Sequence, residues 1–224
     1  SDNTISVEDD GRGIPIDIHK TKNIPAIQVI FTTLHSGGKF RKTDSESVYR
    51  IAGGSHGVGV CVSNALSSKL EAEVKRDGAL YQITFGPNGK IKTPLKKHKK
   101  LPSSKTGTRI RFWPDPKYFD SVKFDISELT ALLRAKAMLL PGVRFSLGLE
   151  KHGEIDLQSW HFHIGIEGYF AEAMTDQDAV ATTFFGERYI ANSSESDSFA
   201  EGEGAQWALS WTGDGEVISE SYVN

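Results

Sequence analysis

The sequence predicts an α+β fold: a two-layer α/β sandwich over residues 1–155, followed by the start of a second α+β domain over 156–224. Three observations lead there. Short segments alternate with period two and are joined by Asp77-Gly78 and Asn88-Gly89, which are strong turn signals. Two apolar-periodic helices are each bordered by a glycine cluster. Beyond Lys151-His152-Gly153 the texture changes to that of a linker. Strands, a helix pair and more strands, in that order, imply the sandwich.

Taken in order, Thr4-Ile5-Ser6-Val7-Glu8 alternates and reads as the first strand. It runs into Asp9-Asp10-Gly11-Arg12-Gly13-Ile14-Pro15, whose glycines and proline predict a turn. A helix is expected from about Pro25 to His35, because a proline at a helix start loses nothing by lacking an N–H, and Gly37-Gly38 ends it. Residues 39–50 are polar and aperiodic, as in a loop. The second cluster, Gly53-Gly54-Ser55-His56-Gly57-Val58-Gly59, opens a helix through Val60, Val62, Ala65, Leu66 and Leu70. Strands follow around 70–75, 80–85 and 108–112. The run Lys96-Lys97-His98-Lys99-Lys100, followed by Pro102 and two serines, reads as a solvated basic loop. Residues 128–140 form a helix that stops before Pro141-Gly142, and 143–149 a strand. Another helix is expected near 166–174, then a Ser/Asp/Glu/Gly-rich stretch at 192–204 and a strand at 217–224, with the domain boundary near 153–165. The chain opens at Ser1 directly on a strand and ends within one, so a piece of a longer protein is expected.

Bulk properties narrow the function classes. With 38% hydrophobic and 25% charged residues the chain has the composition of a soluble globular protein. A net charge of −3 gives the whole chain no strong attraction for DNA or an anionic membrane, so any such contact must come from a local patch. Cys61 is the single cysteine, which excludes an internal disulfide framework and suits a buried position in a reducing cytosol. No signal peptide or membrane-spanning apolar run is present, and a cytoplasmic location is expected.

The glycine clusters hold the candidate chemistry. Gly57-Val58-Gly59 is not a dinucleotide fingerprint, because Val62 stands where the third glycine belongs, and no Gly-Lys-Ser/Thr makes a Walker loop. What remains is a glycine-rich turn feeding a helix N-terminus, which either binds an anion such as phosphate through its free N–H groups or is simply a tight turn. Asp9 and Asp10 end a strand, where a carboxylate needs a donor. An adenine amino group fits, and so does an ordinary Asp-Gly turn. His161 and His163 alternate on an expected strand without cysteine or acidic partners at ligand spacing, so no metal site is expected.

Four motifs together are more specific than any one. Asp9-Asp10-Gly11-Arg12-Gly13-Ile14-Pro15, Leu34-His35-Ser36-Gly37-Gly38-Lys39-Phe40, the run from Gly53 to Val60, and Thr106-Gly107-Thr108 occur in the order and spacing of the gyrase-type ATPases. The chain resembles that family, part of the Bergerat-fold (GHKL) superfamily shared with heat-shock chaperones, mismatch-repair ATPases and histidine kinases. The resemblance continues through Arg111-Phe112-Trp113-Pro114-Asp115 to the terminal Glu220-Ser221-Tyr222-Val223-Asn224. Over 112–143 the chain looks more like the B subunit of topoisomerase IV than that of gyrase. The second domain would be transducer-like.

The resemblance implies the ATP-binding part of a bacterial type II DNA topoisomerase that couples ATP and Mg²⁺ to DNA strand passage. Its partners would be DNA, the DNA-cleaving A subunit and a second copy of itself across an ATPase gate. The rival is a chaperone or signalling switch of the same superfamily. Asp9 would accept from the adenine amino group, helped by the Thr108 hydroxyl, in a pocket lined by Val7, Ile14, Ile30, Val60 and Ile110 and approached closely at Gly13. Gly54, Ser55, His56, Gly57, Val58 and Gly59 would wrap the triphosphate, Lys39 would add charge from a lid, and Tyr49 would approach the nucleoside. Arg12, Pro15 and Arg76 match inhibitor-contacting positions at the pocket mouth. Ser55 departs from the family's usual leucine, and the 39–49 lid is longer than usual. The family's catalytic glutamate and Mg²⁺-binding asparagine lie on a helix ahead of the first strand, and its γ-phosphate lysine lies in the second domain; no position in 1–224 matches any of them.

Overall fold

A computed structural model describes residues 3–36, 57–190, 203–213 and 217–222. The chain divides into two compact units, Ser1–Phe124 and Asp125–Asn224. The division precedes the boundary expected near 153–165.

The first unit is built on one five-stranded sheet. Its strands are β1 (Ile5–Asp9), β2 (Ser67–Arg76), β3 (Ala79–Phe85), β4 (Ile91–Lys100) and β5 (Gly107–Pro114), in the order β1-β5-β2-β3-β4, and all neighbours are antiparallel. Asp77 and Gly78 both take positive φ, 52° and 68°, as the two-residue hairpin between β2 and β3 requires. The strand pairings align Val7, Ile110, Ala72 and Ile83 in one row, and Ile5, Phe112, Leu70 and Phe85 in another. Side chains in these rows share one face of the pleat. Helices α1 (Ala26–Thr32) and α2 (Gly59–Ala65) lie against one another, forming a layer apart from the sheet. Ile27 and Phe31 of α1 pack with Leu70, Ala72, Val74, Ile83 and Phe85 in the core. The Phe31 and Phe85 rings stack at 5.3 Å. Each fully buried side chain of this size contributes about 1.5–3 kcal/mol. The opposite face is charged, with Lys75 paired to Glu8, Lys69 to Glu71 and Arg109 near Glu73. One apolar face covered by helices and one solvated face make the two-layer sandwich.

Asn64 fastens the two helices. It is 1% exposed, and its Nδ2 donates to the Phe31 carbonyl at 2.9 Å. This buried polar tie was not anticipated; the signal was an amide side chain set among Val62, Ala65 and Leu66 on an apolar helix.

Three expectations for this unit are corrected. The second helix ends at Ala65 rather than running through Leu66 to Leu70, and Leu70 lies in β2. The first helix ends at Thr32 rather than near His35: Thr33 is extended at φ −125°, ψ 129°, and His35 is left-handed at φ 56°. Consecutive β-branched threonines are weak helix formers, and the Ser36 hydroxyl donates to the Thr33 carbonyl at 2.7 Å, offering the backbone a turn instead. The lysine run is strand, not loop. Residues 96–100 close β4, whose backbone pairs with β3 although nearly every side chain is solvated. An edge strand with both faces wet carries no alternating pattern.

The second unit contains α3 (Ile126–Leu139), the hairpin β6 (Phe145–Lys151) and β7 (Glu154–Trp160), α4 (Ile166–Ala173), and the pair β8 (Phe184–Tyr189) and β9 (Gly204–Leu209). Asp125 caps α3, its Oδ1 accepting from Glu128 N at 3.0 Å, with Glu128 in the first turn. The linker expected from Lys151-His152-Gly153 onward begins instead as a tight turn. His152 and Gly153 both have positive φ, 54° and 85°, and β7, unanticipated because its side chains are exposed on both faces, follows at once. Trp160 ends that strand, so His161 and His163 lie beyond it. Their rings are 4.0 Å apart, and His161 bonds the Gly142 carbonyl and Arg144.

Residues 217–222 form no strand. Glu220 turns its carboxylate to two hydroxyls instead, accepting from Tyr169 at 2.7 Å and Tyr222 at 3.1 Å. Tyr169 packs in the unit's core with Ala137, Met138 and Phe162. Burial, then the bond to Glu220, push its phenol above the ordinary tyrosine value. The raised value means that the fold prefers the neutral phenol. That stabilisation is fully present below about pH 10 and is lost as pH rises through the raised folded-state value. In an alkaline absorbance titration, Tyr169→Phe should remove the tyrosine that ionises last; loss of one that titrates at the ordinary value would contradict the assignment.

Among the described residues no helix is long and apolar enough to cross a membrane.

Candidate functional site

The site forms where β1 meets β5. Asp9 is the last residue of β1 and stands opposite Thr108, the second residue of β5. Two pairs further in, on the same face of the sheet, Val7 stands opposite Ile110, so the carboxylate and the hydroxyl sit at the end of an apolar strip. Ile14, Ile30 and Ile110 are half-buried against the core, whereas Val7 and Val60 are 58% and 37% exposed. Apolar side chains that remain open beside a carboxylate suit a flat aromatic ligand with one polar edge.

The turn after β1 is held from three sides. The Asp9 Oδ1 accepts from Gly11 N at 2.9 Å, folding the chain back on itself. Ile14 N donates to the Thr108 hydroxyl at 3.2 Å, and Arg76 Nη1 donates to the Gly13 carbonyl at 2.9 Å. Gly13 has φ +76°, and a Cβ there would sit 2.9 Å from the Lys75 carbonyl oxygen, so backbone crowding and the left-handed conformation both require glycine. Gly107 is more constrained still. Its φ is +139°, and a Cβ would fall 2.1 Å from the Asp9 carbonyl oxygen. The sequence showed Gly107 only as a member of a motif; its role in letting β5 close on β1 depends on a contact between residues far apart in the chain.

The polar groups retain capacity for a ligand. The Asp9 side chain is exposed and has one oxygen engaged with Gly11; among the described residues no other hydrogen bond to it is found. Thr108 is 5% exposed and accepts through its hydroxyl oxygen, which leaves the hydroxyl hydrogen to donate. Replacing Thr108 by Val should leave the Ile14 N–H unpaired and cost about 1–3 kcal/mol in urea unfolding. A variant as stable as the parent would show that this bond does not hold the turn.

Gly57 is left-handed at φ 61° and leads into α2, whose start at Val58 has no side-chain cap. Uncapped N–H groups at a helix start are donors for an anion or for water. Arg12 and Pro15 are exposed on the turn. Lys39, Tyr49, Gly54, Ser55 and His56 lie outside the described residues. Asp9, Gly13, Ile14 and Thr108 are thus brought together by direct bonds and strand pairing, and Arg76, expected at the pocket mouth, braces the turn through its guanidinium.

Similarity to known proteins fixes the lineage. Residues 1–118 match the family model described as histidine kinase-, DNA gyrase B- and HSP90-like ATPase. The chain belongs to that ATPase family. Within it, this gyrase-type ATPase chain is 41% identical over its whole length to the B subunit of DNA topoisomerase 4 from Pseudomonas aeruginosa, of which it covers 33%. It is 43% identical over 153 residues to the B subunit of DNA gyrase from Thermus thermophilus, a match covering 68% of this chain and 23% of that one. Among solved structures, the 43K ATPase domain of Thermus thermophilus gyrase B in complex with an aminocoumarin superposes with a TM-score of 0.66 at 33% identity, over 84% of this chain and 45% of that one. The topoisomerase IV ATP-binding domain of Francisella tularensis, in complex with a small-molecule inhibitor, gives 0.62 at 37% identity, over 84% and 50%. The GHKL ATPase fold expected from the motifs is the observed one, and of the two topoisomerase types the likeness to topoisomerase IV extends along the whole chain. The chain spans about a third of the length of the curated relatives that it matches end to end.

Proposed function

We propose that this chain is the ATP-binding part of a bacterial type II topoisomerase of the topoisomerase IV kind, coupling ATP binding and hydrolysis to DNA strand passage in the cytoplasm. The carrying observation is the Asp9–Thr108 pair at the open end of an apolar strip, beside a glycine turn that backbone crowding and hydrogen bonds hold in place. Asp9 accepts from the adenine amino group through its free oxygen, and the Thr108 hydroxyl donates to the ring or to a bridging water. Val7, Ile14, Ile30, Val60 and Ile110 cover the base. Gly54, Ser55, His56, Gly57, Val58 and Gly59 cradle the phosphates with Lys39, Tyr49 faces the nucleoside, and Arg12, Pro15 and Arg76 meet inhibitors at the mouth. Residues 1–155 form the nucleotide-binding domain and 156–224 begin a transducer-like one. The working assembly is a homodimeric gate joined to DNA and to the DNA-cleaving A subunit.

When bound, Mg²⁺ offsets phosphate charge during hydrolysis. The donor set at this site is one carboxylate, a hydroxyl and backbone N–H groups, which suits the nucleotide rather than the metal, and among the described residues no cluster of three metal-ligating side chains occurs. Hydrolysis also needs a base in reach of the attacking water and a cation on the γ-phosphate, and no residue in 1–224 is assigned to either task. The 224-residue chain should therefore bind a nucleotide-pocket ligand but release phosphate at background rate, since losing a general base alone typically costs about 10²–10⁴-fold. Steady-state phosphate release is the test, beside decatenation by the longer protein with its DNA-cleaving partner. Turnover by the chain alone would place the base among residues 1–224 and overturn these assignments; failure of the longer protein to decatenate or relax DNA would favour the chaperone or signalling reading.

A further inference from the structure

We propose that the β4 edge is a binding surface for the phosphate backbone of duplex DNA. The 37 residues from Gly78 to Pro114 contain seven lysines, two arginines and no carboxylate, in a chain whose net charge is −3. The arginines are engaged elsewhere: Arg109 lies near Glu73 and bonds Ser6, and Arg111 bonds Thr4 and covers the Trp113 ring. The seven lysines are exposed, and among the described residues none forms an ion pair, whereas Lys69, Lys75 and Lys117 of the same unit all do.

The fold turns this composition into an array. β4 is the last strand of the sheet, and its pairing with β3 fixes the backbone beneath Lys96, Lys97, Lys99 and Lys100. Lys97 and Lys100 stand opposite Tyr81 and Ala79, and Lys96 and Lys99 opposite Gln82 and Leu80, so each side of the edge carries two of the four. At roughly 3.3 Å per residue the four span on the order of 13 Å, about four phosphates along one DNA strand. A tethered row of cations loses less entropy on meeting a polyanion than the same lysines in a loop.

Edge lysines also discourage strand-to-strand aggregation. Here Pro94 and the irregular β3–β4 register already blunt the edge, which leaves the run from Lys96 to Lys100 unexplained by that role. No Phe, Tyr or Trp lies between Gly86 and Arg111, so the surface offers no stacking platform for single strands and no aromatic anchor for a protein partner. Charge without apolar or planar groups suits sequence-independent phosphate contact. The inference rests on the topoisomerase reading only in its choice of DNA as the polyanion.

The test is fluorescence anisotropy of a labelled duplex of about 20 base pairs, long enough to span the lysine row, titrated with the 224-residue chain across a salt series. Binding should weaken steeply with salt. A variant carrying Lys96→Gln, Lys97→Gln, Lys99→Gln and Lys100→Gln should lose at least about tenfold in affinity at low salt, and its log–log salt slope should fall by roughly three to four. A control with Lys20→Gln, Lys22→Gln, Lys123→Gln and Lys151→Gln removes the same charge elsewhere and should keep most of the binding. Equal loss in both variants, no binding by the parent chain at low salt, or displacement of the DNA by polyglutamate at matched charge concentration would each overturn the proposal. Binding of a non-hydrolysable ATP analogue, followed in parallel, should be unchanged in the β4 variant. If the parent fails to bind the analogue while the DNA result holds, the nucleotide-site reading fails and the β4 surface stands.

Discussion

Asp9→Ala should weaken nucleotide binding about ten- to a hundredfold, while Asp10→Ala should change it little. A hydrogen bond to a charged group contributes about 1.5–3 kcal/mol, which is that range in affinity. Asp9 faces Thr108 in the last pair of the β1–β5 ladder, and Asp10 stands beyond it. A second substitution separates the turn from the ligand contact. Because Asp9 Oδ1 already accepts from Gly11 N, an asparagine at position 9 would have one carbonyl oxygen for two donors. Asp9→Asn should therefore keep the turn, and with it the stability of the chain, yet lose nearly as much nucleotide affinity as Asp9→Ala. Titration calorimetry with a non-hydrolysable analogue distinguishes the cases. Equal small effects at positions 9 and 10 would refute the adenine contact.

Gly107→Ala should be the most damaging single methyl group in the first unit. Its Cβ would fall 2.1 Å from the Asp9 carbonyl oxygen, at a φ of +139°. Steric overpacking costs about 1–3 kcal/mol and backbone strain of this kind a further 1–3 kcal/mol, so a loss of about 2–6 kcal/mol is expected in urea unfolding. Amide exchange in β1 should rise more than in β2 or β3, because β1 is the edge strand that the methyl group pushes away. Gly59→Ala is the contrast. A Cβ there meets nothing within 4 Å, and alanine is the better helix former by up to about 1 kcal/mol. If Gly107→Ala were as mild as Gly59→Ala, the close approach of β5 to the turn would be wrong.

What could be read beforehand followed from local signals. Asp77-Gly78 marked a hairpin because two consecutive residues must take positive φ, and β2 and β3 showed alternation because only one of their faces is buried. The same logic explains the failures. β4 and β7 are solvated on both faces, so neither displays alternation, and lysines or a His-Gly pair there resemble loop and linker. The early end of α1 depended on competing side-chain bonds at Thr33 and Ser36 that no periodicity reveals. At the site, Asp9, Gly13 and Thr108 were marked by motif, but the bonds that unite them join residues as many as 94 positions apart. Arg76 was expected to face a ligand, and its bond to the Gly13 carbonyl was invisible until β2 lay beside the turn.

The most direct test of the nucleotide site is to locate it by amide chemical-shift perturbation in the isotopically labelled 224-residue chain during titration with a non-hydrolysable ATP analogue. The largest shifts should fall on Asp9–Ile14, Gly57–Val60 and Gly107–Thr108, and they should shrink when Asp9 is replaced by Asn. Shifts that instead centre on the second unit, or that spread evenly while the Gly11, Gly13 and Thr108 amides stay in place, would contradict a nucleotide site at the junction of β1 and β5.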